Sequence, residues 1–168
     1  DRQSLLERAT KLFEHLHEEH LVTHFYFTGP DRVNLLRVHM PDQHGDTIDR
    51  FTTLEAEKTG KPARGIELGP LGTFTLRVVH PWYDGQQLIG YVELGEEVEN
   101  LFANMKEAFN LGTIITIKKQ YIDREGLAEG DQIFNRQTKW DRNPEHIILY
   151  NNSSEIDDST IDHILSEL

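Results

Sequence analysis

LLRVHMPDQHGDTIDRFTTLEAEKTGKPARGIELGPLGTFTLRVVHPWYDGQQLIGYVELG, residues 35–95, sets single charged side chains into runs that otherwise read as sheet core. A charge taken out of water must be paired, neutralised or used to hold a ligand. Arg37, His39, Glu67, Arg77 and Glu93 therefore read as the lining of a polar pocket rather than as solvated surface. On this reading the chain is a receptor before it is an enzyme.

The flanking pattern gives an α+β layout. Residues 22–28 and 33–40 are β-rich runs separated by Gly29-Pro30-Asp31-Arg32, a turn sequence that predicts a hairpin. Residues 47–59 predict a helix closed by Gly60 with Pro62 beyond, its Phe51 and Leu54 facing the sheet. Residues 65–68, 73–80 and 87–94 read as three strands, joined by Gly69-Pro70-Leu71-Gly72 and by Tyr83-Asp84-Gly85. Ahead of them, Leu5, Ala9, Leu12, Phe13 and Leu16 recur at helical steps over residues 1–20, one buried stripe on an amphipathic helix. Behind them, Val98, Leu101, Phe102, Met105 and Phe109 mark another helix. A strand at 113–119, a polar stretch anchored by Tyr121 and Trp140, a strand at 146–151 and a last helix with Ile161, Ile164, Leu165 and Leu168 complete the chain.

At 168 residues the chain suits one domain, large enough to bury roughly 70% of its unfolded surface without metal or disulfide help. Seventeen Lys and Arg against 29 Asp and Glu leave a net charge of −12, which repels phosphate backbones and makes nucleic acid an unexpected partner. Cysteine is absent, which removes thiolate nucleophiles and Cys-based zinc sites and leaves the compartment open. No apolar run approaches the roughly 20 residues that span a bilayer. His15, His17 and His20 crowd the first helix among glutamates, but without the HExxH spacing they read as a solvated face, and no metal or cofactor is expected. Nucleophile elbow, phosphate loop and dinucleotide fingerprint are all missing from the sequence. The chain starts without Met inside one helical pattern and stops inside another, which reads as an excised segment whose end helices continue toward a membrane.

The order of elements, and the words set in them, resembles the extracytoplasmic Cache sensor domains, PAS-like modules of bacterial chemoreceptors, sensor histidine kinases and diguanylate cyclases. The resemblance rests on Leu36-Arg37-Val38-His39 with Pro41 and Gly45-Asp46 downstream, on Gly65-Ile66-Glu67-Leu68-Gly69, on Leu76-Arg77 before Pro81, and on Leu88-Ile89-Gly90-Tyr91-Val92-Glu93-Leu94-Gly95. These motifs cover about residues 32–97, and the ends match in element order only. The resemblance implies a single domain over 1–168: a signalling helix at 1–21, a PAS-like core at 22–119 and an extension at 120–168 returning toward the membrane. It also implies a periplasmic or otherwise extracytoplasmic place in an inner-membrane receptor, a small-molecule ligand held against the sheet, and a homodimer in the full-length protein.

Arg37 and His39 fall two apart on one strand and so share a face with Val33 and Leu35. Carboxylate-binding members of the family use an Arg followed closely by a His on this strand. Leu71, Gly72 and Thr73 match the tight turn where such domains offer backbone N–H groups to an anion, and Gly72 lets a ligand approach the main chain. Arg77 leaves that turn carrying a fork suited to a carboxylate, and Tyr91 and Glu93 share a face on the next strand, within reach of it. Glu67 and Glu93 either cancel the arginines or bind the ammonium group of an amino acid, so the ligand is an organic acid or an amino acid. Two other readings stay open: a ligand-free dimerisation or interaction module whose charged strand residues are structural pairs, and a small lyase or isomerase using His39 with Glu93 as acid and base.

Overall fold

The computed structural model describes residues 1–167, with the side chain of Asp158 left aside. It is α+β, as the sequence predicts. Helix α1 (Arg2–His20) begins on the Asp1 side chain, which accepts from the Ser4 N–H, and ends at Leu21 in the left-handed conformation. Strands β1 (His24–Thr28) and β2 (Asn34–Arg37) follow, then helix α2 (Phe51–Thr59) and strands β3 (Ala63–Leu68), β4 (Phe74–Asp84) and β5 (Gln87–Glu97). These strands form one antiparallel sheet in the order β2-β1-β5-β4-β3.

The two faces of the sheet carry different chemistry because side chains alternate along each strand. One face presents Phe25, Phe27, Leu36 and Val38 to α1, whose Ala9, Leu5, Leu6 and Phe13 pack against them. Leu12, assigned to this stripe from its spacing, is 50% exposed. The opposite face carries Val79 and Tyr91, which cluster with Ala56 of α2 and Ala63 of β3.

Three of the boundaries that differ from the sequence reading bear on the sheet's charged face. Helix α2 starts at Phe51 rather than Thr47, which instead bridges to Val33. Thr52, Thr53 and Ala56 face inward while Phe51 is 65% exposed, since small side chains let this short helix lie close on Val79 and Tyr91. Strand β4 does not stop at His80 but runs through Pro81, opposite Tyr91, to a two-residue turn at Gly85 and Gln86. Strand β2 ends at Arg37, so His39 stands in the turn after the strand, although the Val38 N–H still reaches the Phe25 carbonyl at 2.8 Å.

The chain parts into two compact units, Asp1–Glu67 with Thr75–Glu97, and Leu68–Phe74 with the residues from Val98 onward. The second contains helix α3 (Val98–Phe109), strand β6 (Ile114–Lys118), helix α4 (Arg124–Ile133), strand β7 (His146–Asn151) and helix α5 (Asp158–Ser166), with β6 and β7 paired antiparallel. Its core is Ile122, Leu127, Ile147 and Leu149, with Leu68, Phe74, Ile117 and Trp140 at the margin. Ile161 and Leu165 of α5 are also buried while Ile164 is exposed, and Leu168 lies outside the described residues.

Helix α4 occupies what reads in sequence as an irregular polar stretch. Asp123 caps it by accepting from the Gly126 N–H. Gly126 and Gly130 are poor helix formers, yet both are needed here: a Cβ on Gly126 would lie 2.5 Å from the Pro70 carbonyl oxygen, and one on Gly130 would run into that of Leu71. Trp140 holds this segment as expected, with Lys119 and Arg124 over its ring at 5.2 and 5.5 Å. Tyr121 does not, and is exposed. Among the described residues no helix is long and apolar enough to cross a membrane.

Candidate functional site

Register builds the site. Tyr26 lies opposite Arg37 on β2 and opposite Glu93 on β5, and Glu93 lies opposite Val79 on β4. Arg37, Tyr26, Glu93 and Val79 thus form one row across four strands on the face away from α1, and Arg77, two residues before Val79, points to the same side. Arg77 is 4% exposed and Glu93 2%, values at which ionised side chains persist only when paired.

The pairing is dense. Glu93 accepts from Arg77 Nη1 at 2.5 Å and takes both of its oxygens to Arg50 Nη2, at 2.9 and 3.0 Å. Arg77 Nη2 also donates to Thr75 Oγ1 at 3.3 Å. Glu67 accepts from the backbone N–H of Thr52, in the first turn of α2, at 2.7 Å. Its other oxygen lies 3.4 Å from Arg77 Nε and 3.8 Å from Arg50 Nε. Those three atoms, Arg50 Nε, Arg77 Nε and Glu67 Oε2, are buried with no hydrogen-bond partner.

Tyr26 is the floor of this arrangement. The guanidinium carbons of Arg50, Arg37 and Arg77 lie 5.0, 5.2 and 5.9 Å from its ring centroid, within the range of cation–π attraction. Arg37 closes the outer side with a two-pronged pair to Asp46, at 2.7 and 2.6 Å, and a bond to the Gln43 carbonyl at 2.8 Å. The Arg37 guanidinium holds the Asp46 carboxyl below its ordinary value. Beside the tyrosine, His24 stacks on the ring at 6.0 Å, and His39 meets both rings edge-on, at 4.9 Å from His24 and 5.1 Å from Tyr26.

Of the residues singled out in the sequence, Arg37, His39, Glu67, Arg77 and Glu93 are brought together on this face. Tyr91 shares the face but belongs to the apolar cluster under α2, its hydroxyl buried without a hydrogen-bond partner. Leu71, Gly72 and Thr73 fall in the second unit. There the Leu71 and Gly72 carbonyls accept from Arg136 at 2.6 and 2.8 Å, and the Gly72 N–H closes the turn on Gly69. The turn therefore presents carbonyls to a cation, where the resemblance implies N–H groups offered to an anion. As for the acid–base pair, Glu93 is held by two arginines and the Nδ1 of His39 accepts from the Phe25 N–H at 3.3 Å. Arg50, Tyr26, Asp46 and His24 belong to the site and were not foreseen from the sequence.

The family model described as the double sensory domain of two-component sensor kinases matches residues 1–136. The chain belongs to this family. Among solved structures, the sensor domain of DcuS from E. coli is 21% identical with a TM-score of 0.48, the alignment covering 55% of this chain and 68% of that one. No curated protein matches the chain. The sensory domain thus carries, on one face of its five-stranded sheet, a charge cluster of three arginines, three carboxylates and a tyrosine floor.

The histidines beside the cluster make its pH dependence testable. Burial, then the nearby Arg77, lowers His24 from 6.5 to about 3, and burial, then Arg37, lowers His39 from 6.5 to about 4. Between those values and 6.5 the unfolded chain binds more protons than the folded one, so stability is fully present above pH 6.5 and falls as the pH drops toward 4. Urea titrations at pH 7, 6 and 5 should show this loss. His39→Asn, which keeps an acceptor for Phe25, should flatten the slope by up to about 1 kcal/mol per pH unit. An unchanged slope in that variant would show that His39 is not held neutral.

Proposed function

We propose that this sensory domain, in an extracytoplasmic setting, binds a small polar metabolite, an organic acid or an amino acid, at the Tyr26 cluster and passes its occupancy on to an output module. It acts as a receptor and performs no chemistry of its own. The observation that supports this most is the gathering of three guanidinium groups within 6 Å of one tyrosine ring, two of them, Arg37 and Arg50, more exposed than the buried Arg77–Glu93 pair. Arg37 already grips a carboxylate with both prongs, that of Asp46, whose side chain is half exposed. A ligand carboxylate offers the same fork-on-fork geometry, and exchanging it for Asp46 frees the 38–50 loop to move. Glu67 and Glu93 can receive an ammonium group, which extends the ligand class to amino acids.

One feature favours a ligand-free interaction module instead: Asp46, Glu67 and Glu93 already match the charges of Arg37, Arg50 and Arg77. A thermal-shift screen against organic acids and amino acids separates the two. A ligand binding only the folded state at a hundred times its dissociation constant adds about 2.7 kcal/mol, and Arg37→Ala and Arg50→Ala should each abolish that gain while leaving a folded chain. If no compound stabilises the wild type, or both variants respond as it does, the receptor reading fails.

Signal output requires that ligand bind two arrangements with different affinity. We propose that these are two packings of a homodimer formed along α1 in the full-length receptor, where Leu12 is solvent-facing in the single chain. Single cysteines at residues 1–12 of the intact receptor should crosslink with helical periodicity, in a pattern that shifts with ligand. A functional receptor without any such crosslinks would rule the arrangement out.

A further inference from the structure

The chain between β2 and α2 is fixed in its later part by backbone pairing. The Asn34 carbonyl accepts from the Gly45 N–H at 2.8 Å, the Asp46 carbonyl from the Asn34 N–H at 2.8 Å and the Arg32 carbonyl from the Ile48 N–H at 2.9 Å, and Val33 bridges Thr47. Residues 40–44 are held differently. Their own backbone bonds are local, from the Met40 N–H to the Arg37 carbonyl and from the Gln43 N–H to that of Met40. Among the described residues, the hydrogen bonds that tie this segment to the rest of the fold come from two arginines. Arg37 Nη1 donates to the Gln43 carbonyl at 2.8 Å, and Arg2 Nη1, in the first turn of α1, donates to the Pro41 carbonyl at 2.8 Å.

The second observation is the crowding at Arg37. Its Nη1 carries two hydrogens, yet three acceptors lie within bonding distance: Asp46 Oδ1 at 2.7 Å, the Gln43 carbonyl at 2.8 Å and Asn34 Oδ1 at 3.5 Å. A further oxygen arriving at this nitrogen must displace one of them. Asp46 and Gln43 lie on either side of Gly45, so one guanidinium closes the fixed and the tied parts of the chain on each other. Gly45 sits at φ 90°, with no atom within 4 Å of where a Cβ would be, the kind of position about which a glycine lets the backbone turn.

We propose that residues 40–44 are a strap that couples Arg37 to the first turn of α1. While Arg37 holds Gln43, the strap keeps Pro41 on Arg2; when the Arg37 fork turns to another carboxylate, Gln43 is released and the hold on Arg2 changes with it. The use of this coupling in signalling rests on the reading of Arg37 as a ligand's seat, while the coupling itself does not. Coupling is reciprocal, so disturbing Arg2 must in turn loosen Arg37 from Gln43. Every residue involved belongs to the first unit.

The test is a double-mutant cycle of Arg2→Ala and Arg37→Ala on the isotope-labelled chain, read by urea unfolding at pH 7 and by N–H resonances, with no ligand added. Arg2→Ala, at an exposed position, should lower the folding equilibrium constant about threefold in the wild type and leave it unchanged in the Arg37→Ala background, where the strap is already loose. Arg37→Ala should shift the amides of Ser4 and Leu5, and Arg2→Ala should shift the Gln43 amide and the Arg37 Nε–H while leaving Ile48 unmoved. An equal effect of Arg2→Ala in both backgrounds, or an Arg37 Nε–H that does not respond to Arg2→Ala, would overturn the proposal. Should Arg37→Ala fail to fold, the response of Arg37 to Arg2→Ala decides the matter alone. Because no ligand enters, failure here is distinct from failure of the ligand screen.

Discussion

The buried pair between Arg77 and Glu93 is the constraint around which the first unit is arranged. Desolvating two ions costs several kcal/mol each, and their attraction offsets this only when the geometry is good and the remaining donors and acceptors are met. The structure supplies partners from four directions, Arg50 from the residue before α2, Glu67 from β3, Thr75 from β4 itself, and the Tyr26 ring from β1, while Arg77 Nε keeps only the charge of Glu67 at 3.4 Å and no hydrogen bond. The sheet order makes that convergence possible, because β5 lies between β1 and β4 and so places Glu93 at the centre of the row. Helix α2 is fitted to the same requirement. Its first-turn N–H at Thr52 binds Glu67, and its inward side is small, so the helix can approach without covering the charges with bulk.

Such a cluster is a poor device for stability alone, since an apolar pair of similar volume in the same place is often as stable or more so. Its consequence is a polar patch, tied together by ion pairs, on one face of the sheet. His24 and His39, held neutral beside three cations, extend this surface toward the end of β1 without adding charge. On the other face of the sheet Phe25, Phe27, Leu36 and Val38 form an apolar core under α1. One sheet thus separates a packing face, to which the long helix is attached, from the face that carries the charge cluster.

The strands were legible because their hydrophobic alternation is interrupted by single charges, and those interruptions, at Arg37, Glu67, Arg77 and Glu93, are the ones the fold gathers. The partners were harder to see for physical reasons. Arg50 falls inside the helix predicted over residues 47–59, where nothing marks it out, and it is the start of α2 at Phe51 and the path of the 38–50 loop that bring it over Tyr26. Tyr26 stands between Phe25 and Phe27, and an unbroken aromatic run does not tell which residues face the core. The 71–73 turn was recognised as a turn, but local sequence does not say whether a turn's carbonyls or its N–H groups find partners, and that was settled here by Arg136, more than 60 residues away. Helix α4 was hidden by Gly126 and Gly130, whose poor propensity is outweighed by a tertiary contact that only glycine permits.

If the cluster exists for recognition, its structural and ligand-binding roles should be separable. Replacing Arg77 and Glu93 together, by Met and Leu, removes both buried charges and leaves their former partners Arg50 and Glu67 beside each other, 3.8 Å apart, so the sheet should keep about its wild-type stability. The measurement is the melting temperature of Arg77→Met/Glu93→Leu with and without the acids and amino acids that stabilise the wild type. The account predicts a stable fold whose melting temperature no longer responds to any of them. A double variant that still responds as the wild type does would contradict it, and would leave the buried charges a purely structural feature.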